Sequence, residues 1–105
     1  MTKNMKDLKF GGNMYIILVY DIELDKNGAR VSRRIFKTCK KYLTHVQKSV
    51  FEGDVTLALL AKLEAELKII IRKDQDSVLV FKSREERWLQ KEFWGKVDDK
   101  TSNFF

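Results

Sequence analysis

One cysteine, one histidine and no long apolar run: what this 105-residue chain lacks narrows it before any motif is considered. Cys39 stands alone, so no internal disulfide can form and a reducing compartment fits. His45 is the single histidine, so the sequence offers no Ser-His or Cys-His pairing for nucleophilic catalysis. It is expected at a strand end on the surface. No window approaches the roughly 18 uninterrupted apolar residues a membrane span needs. Residues 1–13 also lack the apolar core of a secretion signal, and together these absences predict a cytoplasmic protein with no membrane partner. The most telling absence is of acid. Between residues 29 and 49 stand Arg30, Arg33, Arg34, Lys37, Lys40, Lys41 and Lys48 with no carboxylate among them, so this stretch carries +7 against a formal +6 for the whole chain, and the remainder sums to −1. A clustered field binds phosphate, whereas a scattered one only keeps a protein dissolved.

What is present is one domain's worth of chain, with 44% hydrophobic and 34% charged residues, a balance that folds. Residues 1–13 carry no periodicity and are expected to form a loose extension, followed by a single domain over 14–97 and a tail over 98–105. Tyr15-Ile16-Ile17-Leu18-Val19-Tyr20 is apolar at every position, the pattern of a strand covered on both faces at a sheet centre. After a polar turn, Val31, Ile35, Cys39 and Tyr42 recur at helical spacing and predict an amphipathic helix over about 29–43. Residues 43–55 are rich in β-formers and predict a strand pair or one bent strand, with Gly53 at a bulge or turn. Leu60, Leu63, Leu67 and Ile70 mark a second helix over about 56–71, capped by Thr56 and carrying a Glu64–Lys68 pair. Val78-Leu79-Val80-Phe81 repeats the fully apolar pattern and predicts a second central strand. Ser83-Arg84-Glu85-Glu86 has capping-box spacing for a short helix, and Phe93-Trp94-Gly95 reads as a last strand. The order predicts an α+β fold, the ferredoxin-like βαββαβ sandwich with a short C-terminal helix and strand, whose bare sheet face invites a second copy.

Two features carry chemistry. Asp21 ends the first strand, where a lone acid can hold a cation or can simply stabilise the turn that follows. Tyr20, its neighbour, points to the opposite face and suits a core or interface. On the first helix, Arg30, Arg34, Lys37 and Lys41 form a stripe flanked by Arg33 and Lys40, which can track a phosphate backbone or lie as a solvated face; like charges at i,i+4 repel, so the lack of interleaved acid favours phosphate. Trp88, Phe93 and Trp94 crowd the C-terminal segment and are expected against a partner subunit, with base stacking as the rival. Phe104-Phe105 could dock onto another protein.

Four stretches in order resemble the CRISPR-associated protein two family. Met14-Tyr15-Ile16-Ile17-Leu18-Val19-Tyr20-Asp21-Ile22 is similar to its opening strand, and Val46-Gln47-Lys48-Ser49-Val50-Phe51-Glu52-Gly53 resembles its most specific segment. Asp76-Ser77-Val78 looks like its last core strand, and Phe93-Trp94-Gly95-Lys96 like its terminal strand. The resemblance implies a homodimer whose C-terminal strand pairs with the partner's sheet and whose two Asp21 residues face each other near the two-fold axis. It implies a Mg2+- or Mn2+-dependent endonuclease on RNA or DNA, with Asp21 as catalytic and metal-binding residue and Tyr20, Ser49 and Phe51 as possible support. It also implies duplex-DNA binding and scaffolding of the CRISPR integrase, with single-stranded RNA a possible second ligand. A non-catalytic scaffold and a ribonuclease toxin of the same fold remain as alternatives.

Overall fold

The computed structural model describes residues 12–97; the expected tail over 98–105 and all but the end of the expected extension over 1–13 lie outside the described residues. The elements are β1 (Asn13–Asp21), α1 (Gly28–Tyr42), β2 (Thr44–Gln47), β3 (Val50–Thr56), α2 (Leu57–Ile70), β4 (Ser77–Ser83) and a 3-10 turn (Glu86–Trp88). Asn13 already pairs with Thr56, so the domain begins within the stretch expected to be loose.

The four strands form one sheet in the order β2-β3-β1-β4 with every neighbouring pair antiparallel, the ferredoxin-like arrangement. β1 is central as expected, pairing Ile17 with Glu52 on one side and Phe81 on the other. Its even positions Ile16, Leu18 and Tyr20 enter a core shared with Val31, Ile35 and Cys39 of α1 and Leu63, Leu67 and Ile70 of α2. Its odd positions turn to the helix-free face, where Ile17 and Val19 are only half-buried.

The expectation for the last core strand is corrected. β4 lies at the sheet edge, and its apolar run alternates, with Val78 and Val80 against the core while Leu79 and Phe81 are 53% and 48% exposed. An unbroken apolar run cannot distinguish a strand buried on both faces from one whose second apolar face stands open.

α2 is built as its sequence requires: the Thr56 hydroxyl accepts the Leu59 N–H at 3.1 Å and Lys68 reaches Glu64 at 2.9 Å. Residues 43–56 form a hairpin with its turn at Lys48-Ser49, not a bent strand. Gly53 lies inside β3, opposite Ile16, at neither bulge nor turn. A Cβ there would stand 2.9 Å from Leu43 Cδ2 and 3.5 Å from its Cα, so glycine lets the end of α1 lie close on the sheet.

Two C-terminal expectations change. The Ser83 hydroxyl donates to the Glu85 carbonyl at 2.7 Å and accepts the Glu85 N–H at 3.2 Å, so it closes a local turn instead of capping a helix at Glu86. Only the single 3-10 turn follows. Phe93-Trp94-Gly95 forms no strand within the chain; residues 91–96 lie beside Ile17, Val46, Gln47 and Val50, bordering a cleft with them.

Candidate metal and nucleic-acid site

Asp21 is the last residue of β1, paired across to Ser77, and its side chain is exposed. It borders a cleft of about 440 Å³ whose wall includes Tyr20, Ser49, Asp25 and the first turn of α1 at Gly28, Ala29 and Ser32. Among the described residues Asp21 makes no side-chain hydrogen bond or ion pair.

Tyr20 sends its ring to the core, stacked on Phe51 at 6.3 Å between centroids, and Ser32 and Ser49 line the cleft beside it. Burial is the largest influence on that phenol and raises its pKa, Cys39 adds to the rise, and the two serines oppose it. Ser49 is brought to the site, its carbonyl accepting the Tyr20 N–H at 3.1 Å. Phe51 is fully buried behind Tyr20 and does not reach the cleft, so its expected part in the site reduces to packing. Cys39 is equally buried, its thiol pushed up to about 12 by desolvation, which makes it an inert core residue.

The second carboxylate on the cleft wall is already engaged. Arg72 Nη1 reaches both oxygens of Asp25, at 2.8 and 2.9 Å, while its Nε and Nη2 hold Asp76 at 2.9 Å each. Asp76, its side chain fully covered, also accepts the Glu23 and Arg72 backbone N–H groups at 3.0 Å. This clamp ties the β1–α1 connection to the α2–β4 connection and fixes the cleft floor. Gly28 belongs to the same fit, since a Cβ there would stand 2.3 Å from the Glu23 carbonyl oxygen. Nothing in the sequence signalled the clamp, because Arg72 and Asp25 are 47 residues apart.

Among the described residues no group of three or more His, Cys, Asp or Glu side chains could hold a metal. Of the two carboxylates that line the cleft among the described residues, only Asp21 has no side-chain partner there, with Ser49 on the same wall. These hard oxygen donors suit Mg2+ or Mn2+ only as part of a shell that phosphate, water or a second chain completes.

The basic residues divide by environment. Arg30, Arg33, Arg34 and Lys37 are exposed and make no ion pair among the described residues. They lie on α1, whose first turn forms the cleft wall and whose 15 residues extend about 22 Å. Lys41 is committed to Glu66 at 2.5 Å, and Glu66 also takes the Tyr42 hydroxyl. Lys40 is exposed on the same helix, and Lys48 is exposed in the hairpin turn with φ of 39°.

Glu52, which the sequence offers with no partner to give it a role, has two in the structure. Glu52 on β3 is nearly buried on the helix-free face, accepting the Tyr15 hydroxyl at 2.5 Å and the Lys91 ammonium at 2.5 Å. Burial raises the Tyr15 phenol, and the bond to Glu52 raises it further. Only its place in the most specific sequence segment could have drawn attention to it.

The strand order and the two helices on one face define a ferredoxin-like α+β domain with a lone acid at the end of its central strand. Within that class, the chain belongs to the family described as CRISPR associated protein Cas2, whose model matches residues 14–91. It is 49% identical over 105 residues to the "CRISPR-associated endoribonuclease Cas2" of Fusobacterium nucleatum subsp. nucleatum, covering 99% of both chains. It is 41% identical over 90 residues to "CRISPR-associated endoribonuclease Cas2 2" of Moorella thermoacetica, covering 85% of this chain and 99% of that one. A solved structure described as "Crystal structure of cas2" superposes with a TM-score of 0.71 at 34% identity, covering 83% of this chain and 92% of the other.

Proposed function

We propose that this chain is a homodimeric, divalent-metal-dependent endonuclease of CRISPR defence that also binds duplex DNA and scaffolds the integrase during spacer capture. The nuclease reading draws on the endoribonuclease names of its relatives. The observation that carries it is Asp21: an exposed carboxylate with no protein partner among the described residues, on a cleft whose wall continues into the basic helix. Two such carboxylates, brought together by a dimer, would hold a divalent ion whose remaining positions phosphate and water fill. The half-exposed Leu79 and Phe81 on the helix-free face give a second copy apolar surface to cover.

When bound, the metal would polarise a phosphate and lower the pKa of an attacking water. The protein's own part is positional. Asp21 would hold the cation at the strand end, the Arg72 clamp keeps the adjoining loops in shape, and Arg30, Arg33, Arg34 and Lys37 would hold the phosphate backbone along α1. Phosphate contacts of this kind read charge and not sequence, which suits a scaffold that must accept any spacer.

A scaffold without cleavage is the second reading, favoured by α1 itself, which meets the cleft only at its first turn and carries most of its cations onward along the helix. Asp21→Asn distinguishes them: metal-dependent cleavage of RNA or DNA by a clean preparation should fall by on the order of a hundredfold or more while duplex binding persists. Unchanged cleavage would remove Asp21 from the chemistry, whereas wild type that cuts nothing but captures spacers with the integrase would favour the scaffold alone.

A further inference from the structure

His45 does not sit exposed at a strand end as expected from sequence. Its ring is half-buried on β2, 4.8 Å from the Phe36 ring of α1 and 5.0 Å from the Phe51 ring of β3. These contacts fix its orientation, and its Nε2 lies 2.8 Å from the Lys48 carbonyl oxygen. A carbonyl can only accept, so Nε2 carries the hydrogen.

The residue it holds is unusual. Lys48 is the first residue of a two-residue hairpin loop between Gln47 and Val50, and its φ is 39°. Among the described residues it is the one non-glycine side chain with positive φ. Two-residue hairpins with a left-handed first loop residue normally place glycine there, because a Cβ disfavours that conformation. Immediately after Lys48 comes Ser49, whose carbonyl accepts the Tyr20 N–H and which lines the Asp21 cleft beside Tyr20.

We propose that His45 is a positioning residue: by donating from Nε2 to the Lys48 carbonyl it pins the left-handed turn that delivers Ser49 to the strand end bearing Asp21. Phenylalanine could fill the same space between Phe36 and Phe51. What histidine adds is the N–H aimed at the turn.

The role of the cleft rests on the nuclease reading, but the positioning has its own readout, amide hydrogen exchange at Tyr20. In His45→Phe, which keeps the ring packing and deletes the donor, Tyr20 exchange should quicken roughly five- to tenfold while that of Leu18 in the middle of β1 stays put. His45→Gln, which keeps a donor near the ε position, should exchange like wild type and serves as the arm that stands if the phenylalanine variant fails to fold. Adding Lys48→Gly to His45→Phe should restore Tyr20 protection, since glycine adopts the left-handed conformation unaided. Where wild type cleaves nucleic acid, His45→Phe should lower kcat with little change in KM. Unchanged Tyr20 exchange, equal quickening at Tyr20 and Leu18, or no restoration by Lys48→Gly would each overturn the proposal. A wild type without cleavage but with the predicted exchange pattern would overturn the nuclease reading and leave the positioning intact.

Discussion

Asp76 shows how one side chain can carry the shape of a site it does not touch. The Arg72 guanidinium bonded to it, helped by the backbone N–H groups of Arg72 and Glu23, holds its carboxyl down at about 2 from an ordinary 3.8, against the opposing effect of burial. Its folded-state pKa is depressed, so the stability it contributes is present above about pH 4 and is lost as pH falls toward 2. Such a shift corresponds to on the order of 2 kcal/mol at neutral pH, reduced because the Arg72 side chain is 22% exposed and partly screened. Urea unfolding followed from pH 7 to pH 2 should therefore show Asp76→Asn losing about 1–2 kcal/mol at pH 7 and converging with wild type at the acid end. Curves that stay parallel would mean the clamp contributes nothing pH-dependent. Asp76 was visible in the sequence only as the first residue of a family-like segment; Arg72 shares its loop, but Glu23, whose N–H it accepts, and Asp25, the other carboxylate on Arg72, come from the β1–α1 loop, and no periodicity links one loop to the other. Asp21 was legible because it ends an apolar run, which fixes its position at a strand end before any contact is known. His45 and Glu52 were not, because their roles depend on cross-strand and cross-layer neighbours.

The elements themselves were mostly legible. Both helices fall within a residue or two of the spans their apolar spacing predicts, and Thr56 caps α2 as expected. The strands were harder, since β1 and β4 read alike and differ only in having a neighbour on two sides or one. At Ser83 the capping-box spacing misled, because the hydroxyl is spent on Glu85 in a local turn, whereas the strand expected at 93–95 was to pair with a second chain and a single chain does not test it. α1 carries the functional prediction at this scale. Replacing Arg30, Arg33, Arg34 and Lys37 by alanine should weaken duplex-DNA binding and flatten its dependence on salt, by about 0.9 in the log-log slope for each phosphate no longer neutralised. Lys41→Ala should change that slope far less, because its ammonium is already held by Glu66. Fluorescence anisotropy across a salt series would measure both, and an unchanged slope in the quadruple variant would remove α1 from the interface.

At the scale of the whole molecule, the proposed function calls for a second copy. Among the described residues, one chain offers one free carboxylate at the cleft, a helix-free face with exposed Leu79 and Phe81, and a C-terminal segment resting beside its own sheet through the Lys91–Glu52 pair. In the proposed dimer a second copy would supply the rest: the two acids would share one cation, the open face would be covered, and the basic helices of two chains would present a longer surface to a nucleic-acid rod. The decisive measurement is the stoichiometry of Mn2+ binding to the purified protein, by calorimetry or electron paramagnetic resonance, in wild type and in Asp21→Asn. Shared acids require one ion for every two chains in the wild type and none held by the variant; one ion per chain, or binding that survives the loss of Asp21, would contradict the shared site.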